Sequence, residues 1–363
     1  MSVATARPPI AGAGSSTSVH HRAGPSRKTG PPAGFEVLSV YQAALAADLP
    51  APIAAIMTLV SLMEASSSTT MTGLASEVNA GTEILQDNQA NLGVRAGCQL
   101  WERFFASSGG GPEDFATVKK SLINQGKQFC HVTAPACREK IATLAADFLV
   151  DGCTVLTHGF SRTVILTLLK AHKQSKRFNV YITEGRPSGM GMRTHNVLTK
   201  AGIPCVVVLD SAVSYVMDRC SMVLVGAEAV VESGGIVSYI GTYQLALVAR
   251  AMQKPFYALA ESYKFLRHYP LSQTDIPRPK HTGIPLLFTH DILRTPSKPD
   301  SAMDEAKSRV SKDVRVEMTE GMEEQNPLVD VTAPELIDFI FTDLGAPLSP
   351  TSVSQYLVAQ FAS

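Results

Sequence analysis

The sequence lacks several features that would place it in a familiar functional class. It carries no net charge, with 32 basic and 32 acidic side chains, so it does not offer the basic surface that binding to nucleic-acid phosphates requires. No apolar run approaches the roughly 20 residues of a membrane-spanning helix. We therefore expect no direct contact with nucleic acid and no membrane segment.

The six cysteines have neither metal-type nor disulfide-type spacing. None belongs to a CxxC pair, and no paired histidines accompany them. Cys153 and Cys205 lie in apolar runs, where a thiol behaves as a small hydrophobe. The pattern predicts reduced thiols of a cytoplasmic protein and does not favour a structural zinc site. We expect no metal and no cofactor.

The first 34 residues contain no acidic side chain. They carry Arg7, Arg22, Arg27 and Lys28 among many serines, glycines and prolines. A mitochondrial transit peptide has a similar composition, but the prolines here would interrupt its amphipathic helix. The segment 1–34 is therefore better interpreted as a disordered tail.

The remaining chain divides into two parts by its apolar periodicity. Residues 35–150 have apolar side chains at helix spacing, which predicts an N-terminal helical domain. Residues 151–363 have short apolar runs that alternate with helical segments, which predicts a Rossmann-like α/β domain on a doubly wound parallel sheet. The predicted strands are 153–157, 178–183, 203–209, 222–226 and 255–260.

The sequence predicts a long loop and further helices in the C-terminal part. Residues 277–326 are polar and rich in proline and lysine, which predicts a long loop. The sequence Thr-Ala-Pro-Glu at 332–335 is a capping box followed by the apolar residues Ile337, Phe339 and Ile340, which predicts a helix. A final helix is predicted over 354–361.

Polar side chains follow each of the five predicted strands. Ligands of parallel α/β sheets bind at the carboxyl ends of the strands, so these side chains form the candidate site. Neither a dinucleotide fingerprint nor a Walker A motif is present. The set predicts a polar pocket for a small hydroxylated and phosphorylated ligand. The candidates are His158, Ser161, Arg162, Glu184, Arg186, Asp210, Ser211, Glu228 and Lys264.

Several of these residues also have a purely structural interpretation. Ser161 could only cap the helix after the first strand, and Arg162 could only face solvent. Glu184 and Arg186 could pair with each other. His158 could act as a general base, although a lone histidine is more often structural and no nucleophile lies near it in the sequence. For Asp210, a helix N-cap is the alternative.

Strings of residues at the strand ends resemble those of a known family. The strings are Thr157-His158, Ser161-Arg162, Val208-Leu209-Asp210, Val225-Gly226-Ala227-Glu228, Glu232-Ser233-Gly234-Gly235, Ile240-Gly241-Thr242, Ala260-Glu261-Ser262, Lys264-Phe265 and Phe341-Thr342-Asp343-Leu344-Gly345. They are similar to the regulatory subunits (alpha, beta and delta) of translation initiation factor 2B, most of all to the alpha type. These subunits share their fold with methylthioribose-1-phosphate isomerase and ribose-1,5-bisphosphate isomerase. The resemblance runs from about residue 35 to the C-terminus, except for 277–326.

The chain departs from the isomerases at their catalytic positions. Gly159 stands where those enzymes have a catalytic cysteine, and Glu228 stands where they have an aspartate. The extra methylene would displace the carboxylate by about 1 Å, an offset that can cost orders of magnitude in rate. Ser238 and Tyr239 replace an Asn-Lys pair. The resemblance therefore implies no catalytic residues and a vestigial sugar-phosphate pocket, with an isomerase that uses other residues as the alternative.

The resemblance also implies a function and partners. Initiation factor 2B exchanges GDP for GTP on initiation factor 2, and another of its subunits performs the catalysis. The alpha type forms a homodimer, bridges the complex of beta, gamma, delta and epsilon subunits, and helps to recognise the phosphorylated alpha subunit of initiation factor 2. Thr70 falls where the family has a residue linked to that recognition. The implied role is that of a regulatory subunit in the integrated stress response.

Overall fold

The computed structural model describes residues 30–89, 91–107, 114–277, 321 and 325–362. Most of the predicted N-terminal tail and most of the predicted 277–326 loop lie outside these ranges. Within them, a helical part precedes an α/β part. The predicted fold class is confirmed, whereas the exact domain boundaries stay predictions.

The helical part packs around one long, almost fully buried helix. Its helices are α1 (Val37–Ala46), α2 (Ala51–Ala65), α3 (Met71–Asn88), α4 (Leu92–Ser107), α5 (Phe115–Gln128) and α6 (Ala134–Asp147), with a π-helical turn at Phe129–Thr133. Helix α2 is central, because Ile56, Leu59 and Leu62 are completely buried. Pro52 lies in its first turn, where the missing backbone N–H has no intrahelical partner to lose.

The α/β part is built on a six-stranded parallel sheet with the order β3-β2-β1-β4-β7-β9. The direction of strand addition reverses between β1 and β4, as in doubly wound folds. The strands are β1 (Thr154–His158), β2 (Asn179–Thr183), β3 (Cys205–Val208), β4 (Met222–Gly226), β7 (Phe256–Leu259) and β9 (Phe339–Phe341). The helices are α7 (Arg162–Lys173), α8 (Met190–Lys200), α9 (Val213–Met217), α10 (Thr242–Ala251) and α11 (Ser352–Ala362).

A small antiparallel sheet was not predicted. Its strands are β5 (Ala229–Val230), β6 (Ile236–Tyr239) and β8 (Val329–Thr332), in the order β5-β6-β8. Strand β5 has only two residues, and β8 lies some 90 residues further along the chain than β6. Such short strands with a distant partner leave no local periodicity to detect.

The helix predicted from the capping box at 332–335 is wrong. Residues Pro334–Leu336 form a short 3-10 turn, and Phe339–Phe341 forms strand β9, parallel to β7. Ile340 and Phe341 are completely buried, so sheet pairing and burial override the local capping signal. The predicted final helix is confirmed as α11, which begins two residues earlier than expected.

The two parts share a core instead of meeting through a linker. Ile141 and Ala145 of α6 pack in one apolar cluster with Val164 and Leu168 of α7. Tyr263, which follows β7, is buried in the core of the helical part. This continuous packing holds the helical part above the carboxyl ends of the central strands.

Candidate functional site

A cleft of about 250 Å³ lies where the helical part covers the carboxyl ends of β1 and β4. This is the point at which the strand order reverses, where doubly wound folds bind their ligands. The α/β part contributes the residues after β1, β4 and β7 and the end of β6. The helical part contributes the linker between α1 and α2, the start of α4, and Arg138 of α6.

The structure brings five of the nine predicted site residues together in this cleft and leaves four outside it. The residues that line it are His158, Ser161, Arg162, Glu228 and Lys264. The residues that lie elsewhere, after β2 and β3, are Glu184, Arg186, Asp210 and Ser211.

His158 ends β1, and both of its ring nitrogens are already engaged. Nε2–H donates to the carbonyl oxygen of Ile240 at 2.8 Å, and Nδ1 accepts from the Thr183 hydroxyl at 2.6 Å. Burial lowers the pKa of His158, which favours the neutral imidazole that these contacts require. This geometry leaves no free nitrogen for proton transfer to a ligand.

Ser161 and Arg162 form the start of α7 at the mouth of the cleft. The Ser161 Oγ accepts a hydrogen bond from the backbone N–H of Val164 at 3.3 Å, so it caps the helix. Arg162 crosses to the helical part, where its Nη2 donates to Oδ1 and to the carbonyl oxygen of Asp48, both at 2.9 Å. Arg193 of α8 reaches the same Asp48 Oδ1 at 3.0 Å.

Glu261 organises the floor of the cleft. Its Oε1 accepts from Arg138 Nε at 3.2 Å and from the Thr163 hydroxyl at 2.9 Å, and its Oε2 lies 2.7 Å from Lys264 Nζ. Burial alone would raise the pKa of Glu261, but attraction to Lys264 and Arg138 lowers it to about 2. The prediction of site residues omitted Glu261 although its strand-end position was visible, and Arg138 carries no strand-end signal.

Glu228 is the carboxylate of the cleft with unused hydrogen-bonding capacity. It is half-buried, and no side chain or backbone N–H of the described residues donates to it. Burial raises the pKa of Glu228, and the charge of Lys264 opposes that rise. Lys264 Nζ donates instead to the carbonyl oxygen of Ala227 at 2.9 Å, beside Glu228. Glu228 is therefore placed to bond to a hydroxyl group of a ligand.

Tyr239 fills the space in front of Gly159. Gly159 follows β1 with φ +60°, in the left-handed region that favours glycine. A Cβ atom at this position would lie 3.1 Å from Cδ2 of Tyr239, closer than ordinary contact. Burial raises the pKa of Tyr239 to about 12, so its phenol is neutral. A side chain at position 159 would fit only if the Tyr239 ring moved.

The four predicted residues outside the cleft mostly stabilise the loop after β2. Arg186 Nε lies 3.2 Å from Glu184 Oε2, so these two side chains pair with each other. The Asp210 carboxylate accepts from the backbone N–H groups of Gly185 at 2.9 Å and Arg186 at 2.7 Å, and it is not a helix N-cap. Ser211 is exposed.

Thr70 lies at an exposed position of the helical part, outside the residues that line the cleft. It is the N-cap of α3, and its Oγ1 accepts from the backbone N–H of Gly73 at 3.1 Å. Ser68, two residues earlier, donates to the Glu77 carboxylate at 2.7 Å. The structure therefore assigns Thr70 a capping role and leaves its role in recognition a prediction.

The described ranges contain neither a cluster of metal-ligating side chains nor a membrane-type helix. No three histidine, cysteine or acidic side chains there come together in a way that could hold a metal ion. None of the helices in those ranges has the length and apolar character needed to span a membrane.

Comparison with known proteins decides the family. The sequence pattern of the "Initiation factor 2 subunit family" matches residues 46–348. The chain belongs to this family. It is 38% identical over 312 residues to translation initiation factor eIF2B subunit alpha of Dictyostelium discoideum, covering 84% of this chain and 90% of the relative. The corresponding subunit of Caenorhabditis elegans is 32% identical over 313 residues, covering 85% and 92%.

The family also includes enzymes. Ribose 1,5-bisphosphate isomerase of Archaeoglobus fulgidus is 31% identical over 236 residues, covering 64% of this chain and 66% of the relative. Gly159, Glu228 and Tyr239 all lie within the family match. The isomerase match covers a smaller share of both chains than the two alpha-subunit matches do.

Solved structures of initiation factor 2B proteins share the fold. The translation initiation factor eIF-2B of Pyrococcus horikoshii OT3 superposes with a TM-score of 0.62 at 21% identity, covering 86% of this chain and 97% of the other. A chain of the tetrameric eIF2B beta2-delta2 complex from C. thermophilum gives 0.63 at 17% identity, covering 89% and 93%. At these identities the likeness establishes the architecture alone.

Proposed function

We propose that this chain is a non-catalytic, alpha-type regulatory subunit of the guanine nucleotide exchange factor for translation initiation factor 2. The observation that carries the proposal is the near-complete match to the alpha subunit of Dictyostelium discoideum, at 38% identity over 312 residues. The alpha-type relatives match over most of their length, whereas the isomerase of Archaeoglobus fulgidus matches over 66% of its length.

The chemistry of the cleft supports a non-catalytic role. An aldose–ketose isomerase must move protons between carbon and oxygen, so it needs a base with a free lone pair at the substrate. His158 has both ring nitrogens engaged, and Gly159 offers no side chain. Glu228 also lines the cleft, and Tyr239 occupies the space in which a cysteine side chain at position 159 would stand.

The surface of the α/β part supports assembly with other subunits. Val206 on edge strand β3 is 56% exposed, and Tyr215 on the neighbouring α9 is 70% exposed. Leu209, between them in the chain, is also exposed. Exposed apolar side chains along a sheet edge favour burial against a partner. We assign the α/β part to a homodimer contact and to the beta, gamma, delta and epsilon subunits, and Thr70 to contact with the phosphorylated alpha subunit of initiation factor 2.

The test is release of GDP from initiation factor 2, catalysed by the beta, gamma, delta and epsilon subunits, with and without this chain. The expected result is faster exchange on addition of the chain, with inhibition by phosphorylated initiation factor 2 appearing only in its presence. The Archaeoglobus fulgidus isomerase, which belongs to the same family, is the matched control and should have neither effect. No change in either rate would contradict the subunit assignment.

The cleft itself favours a small phosphorylated ligand. Its volume of about 250 Å³ lies below the roughly 300–1,000 Å³ of drug-sized sites. Arg162, Arg138 and Lys264 supply positive charge for a phosphate, and Glu228 supplies an acceptor for sugar hydroxyls. A ligand that binds only the folded state raises the melting temperature. Failure of ribose 5-phosphate and glucose 6-phosphate at millimolar concentration to raise it would contradict this assignment.

A sugar-phosphate isomerase is the alternative function, favoured by the 31% identity to ribose 1,5-bisphosphate isomerase. Purified protein would be assayed with ribose 1,5-bisphosphate and with methylthioribose 1-phosphate. We expect no turnover above the uncatalysed rate. Turnover that is lost in a Glu228→Gln variant would establish the alternative and displace the non-catalytic account.

A further inference from the structure

The linker between α1 and α2 crosses the mouth of the cleft. Leu49 and Pro50 line the cleft directly. Asp48 has φ +63°, a left-handed conformation that aspartate and asparagine tolerate better than other side chains except glycine. This turn directs the carboxylate away from α2 and toward the α/β part, where Arg162 and Arg193 receive it.

Two guanidinium groups share the single Asp48 carboxylate. Arg162 Nη2 lies 2.9 Å from Asp48 Oδ1, and Arg193 Nη2 lies 3.0 Å from the same oxygen. The Arg162 Nε is buried and has no hydrogen-bond partner among the described residues. Arg193 lies over the ring of Phe160, 4.0 Å from its centroid, and Phe160 lines the cleft. The two guanidinium groups therefore carry one more positive charge than the single Asp48 carboxylate neutralises, and the Arg162 Nε donor has no acceptor among the described residues.

This arrangement suits a phosphate better than it suits a carboxylate. A phosphate monoester carries about two negative charges near neutral pH and offers three acceptor oxygens. Planar guanidinium groups bind such oxygens in pairs, and both arginines are already oriented by the Asp48 and Phe160 contacts. The Asp48 side chain is 57% exposed, and an exposed ion pair is weak enough for a better anion to replace it.

We propose that Asp48 is a built-in competitor for the phosphate of the cleft ligand. With the cleft empty, Asp48 binds Arg162 and Arg193 and holds the α1–α2 linker across the entrance. A phosphorylated ligand takes over both arginines, and the linker is released. This inference rests on the proposed ligand of the cleft. It implies that the position of the linker between α1 and α2 depends on whether a ligand occupies the cleft.

The test compares wild-type protein with an Asp48→Asn variant by titration calorimetry at low ionic strength. Asparagine retains the size of the side chain and tolerates the left-handed backbone but carries no charge to compete. The probes are inorganic phosphate, ribose 5-phosphate and uncharged ribose. We expect Asp48→Asn to bind the two phosphate probes about three- to tenfold more tightly, because a phosphate would no longer have to replace the exposed ion pairs of Asp48. Binding of ribose should not change.

Asp151→Asn is the matched control. Asp151 is also an exposed aspartate paired with an arginine, at 2.8 Å from Arg177, but neither residue lines the cleft. Its affinity for all three probes should equal that of the wild type. If the wild type binds ribose 5-phosphate and Asp48→Asn binds it no more tightly, the competitor role is overturned while the ligand assignment stands. If neither the wild type nor either variant binds inorganic phosphate or ribose 5-phosphate, the competitor role and the ligand assignment are both overturned. The exchange assay still tests the subunit role separately.

Discussion

At the floor of the cleft, Glu261 connects three segments that are distant in the sequence. It contacts Arg138 of the helical part, Thr163 of α7 and Lys264 after β7. Its side chain is 2% exposed, and those of its two cationic partners are 19% and 15% exposed. Loss of one member of such a buried group leaves charges without compensation, which is more harmful than loss of the whole group.

Glu261→Gln should therefore lower the free energy of unfolding by about 3–5 kcal/mol, because Arg138 and Lys264 would remain buried without their counter-charge. Urea denaturation followed by circular dichroism measures this quantity. Glu64→Gln is the control, since Glu64 pairs with Lys127 at 2.5 Å and both side chains are 43% exposed. The control should change stability by less than about 0.5 kcal/mol. Equal losses in the two variants would show that Glu261 is not central to the structure.

Of the nine site residues predicted from the sequence, the five that line the cleft come from the ends of the adjacent strands β1, β4 and β7, and their role in binding stays a prediction. His158 ends β1 and Glu228 follows β4, and because these strands are adjacent both residues reach the cleft. Glu184 and Asp210 follow β2 and β3, further from β4, and they fall outside the cleft. The rule that ligands bind at strand ends does not predict the order of the strands, so it cannot tell which strand ends lie next to each other. Asp48 and Arg138 come from the helical part, where no such rule applies.

At the scale of elements, the buried parallel strands were predictable and the small sheet was not. Strands β1, β2, β3, β4 and β7 appear where apolar runs predicted them. Burial on both faces explains the continuous apolar signal of a central strand such as β4, whereas edge strand β3 is apolar although partly exposed. Strand β9 was mistaken for a helix because its local capping sequence is strong, while its pairing with β7 depends on residues 80 positions away.

Helix α10 depends on a side chain from strand β8. Its N-cap is Gly241, which has no side chain to accept a hydrogen bond. Asp330 Oδ2 instead accepts from the backbone N–H groups of Gly241 at 2.7 Å and Tyr243 at 3.0 Å. Burial raises the pKa of Asp330 to about 7, although these two hydrogen bonds act to lower it.

A raised pKa means that the folded state favours the protonated form of Asp330. Its contribution to stability is therefore complete below the ordinary pKa of 3.8 and is lost as the pH rises through about 7. Asp330→Asn removes this titration, so the free energy of unfolding of the wild type should fall relative to the variant between pH 4 and pH 8. Thermal or urea unfolding across that range measures the difference. A difference that is constant with pH would contradict the titration of Asp330.

At the scale of the whole molecule, the cleft is formed by both parts of the chain together. Arg138 joins it from α6, and Leu49 and Pro50 join it from the α1–α2 linker, while the shared core of α6 and α7 holds the two parts together. A ligand in the cleft would therefore contact both parts of the chain at once.

The proposed function requires that this chain join two copies of the exchange-factor core through its own dimer. Native mass spectrometry of the beta, gamma, delta and epsilon subunits, with and without this chain, tests it most directly. Addition of the chain should convert particles with one copy of each subunit into particles with two copies of each plus two copies of this chain. If the core keeps its mass and this chain is detected only on its own, the account is contradicted.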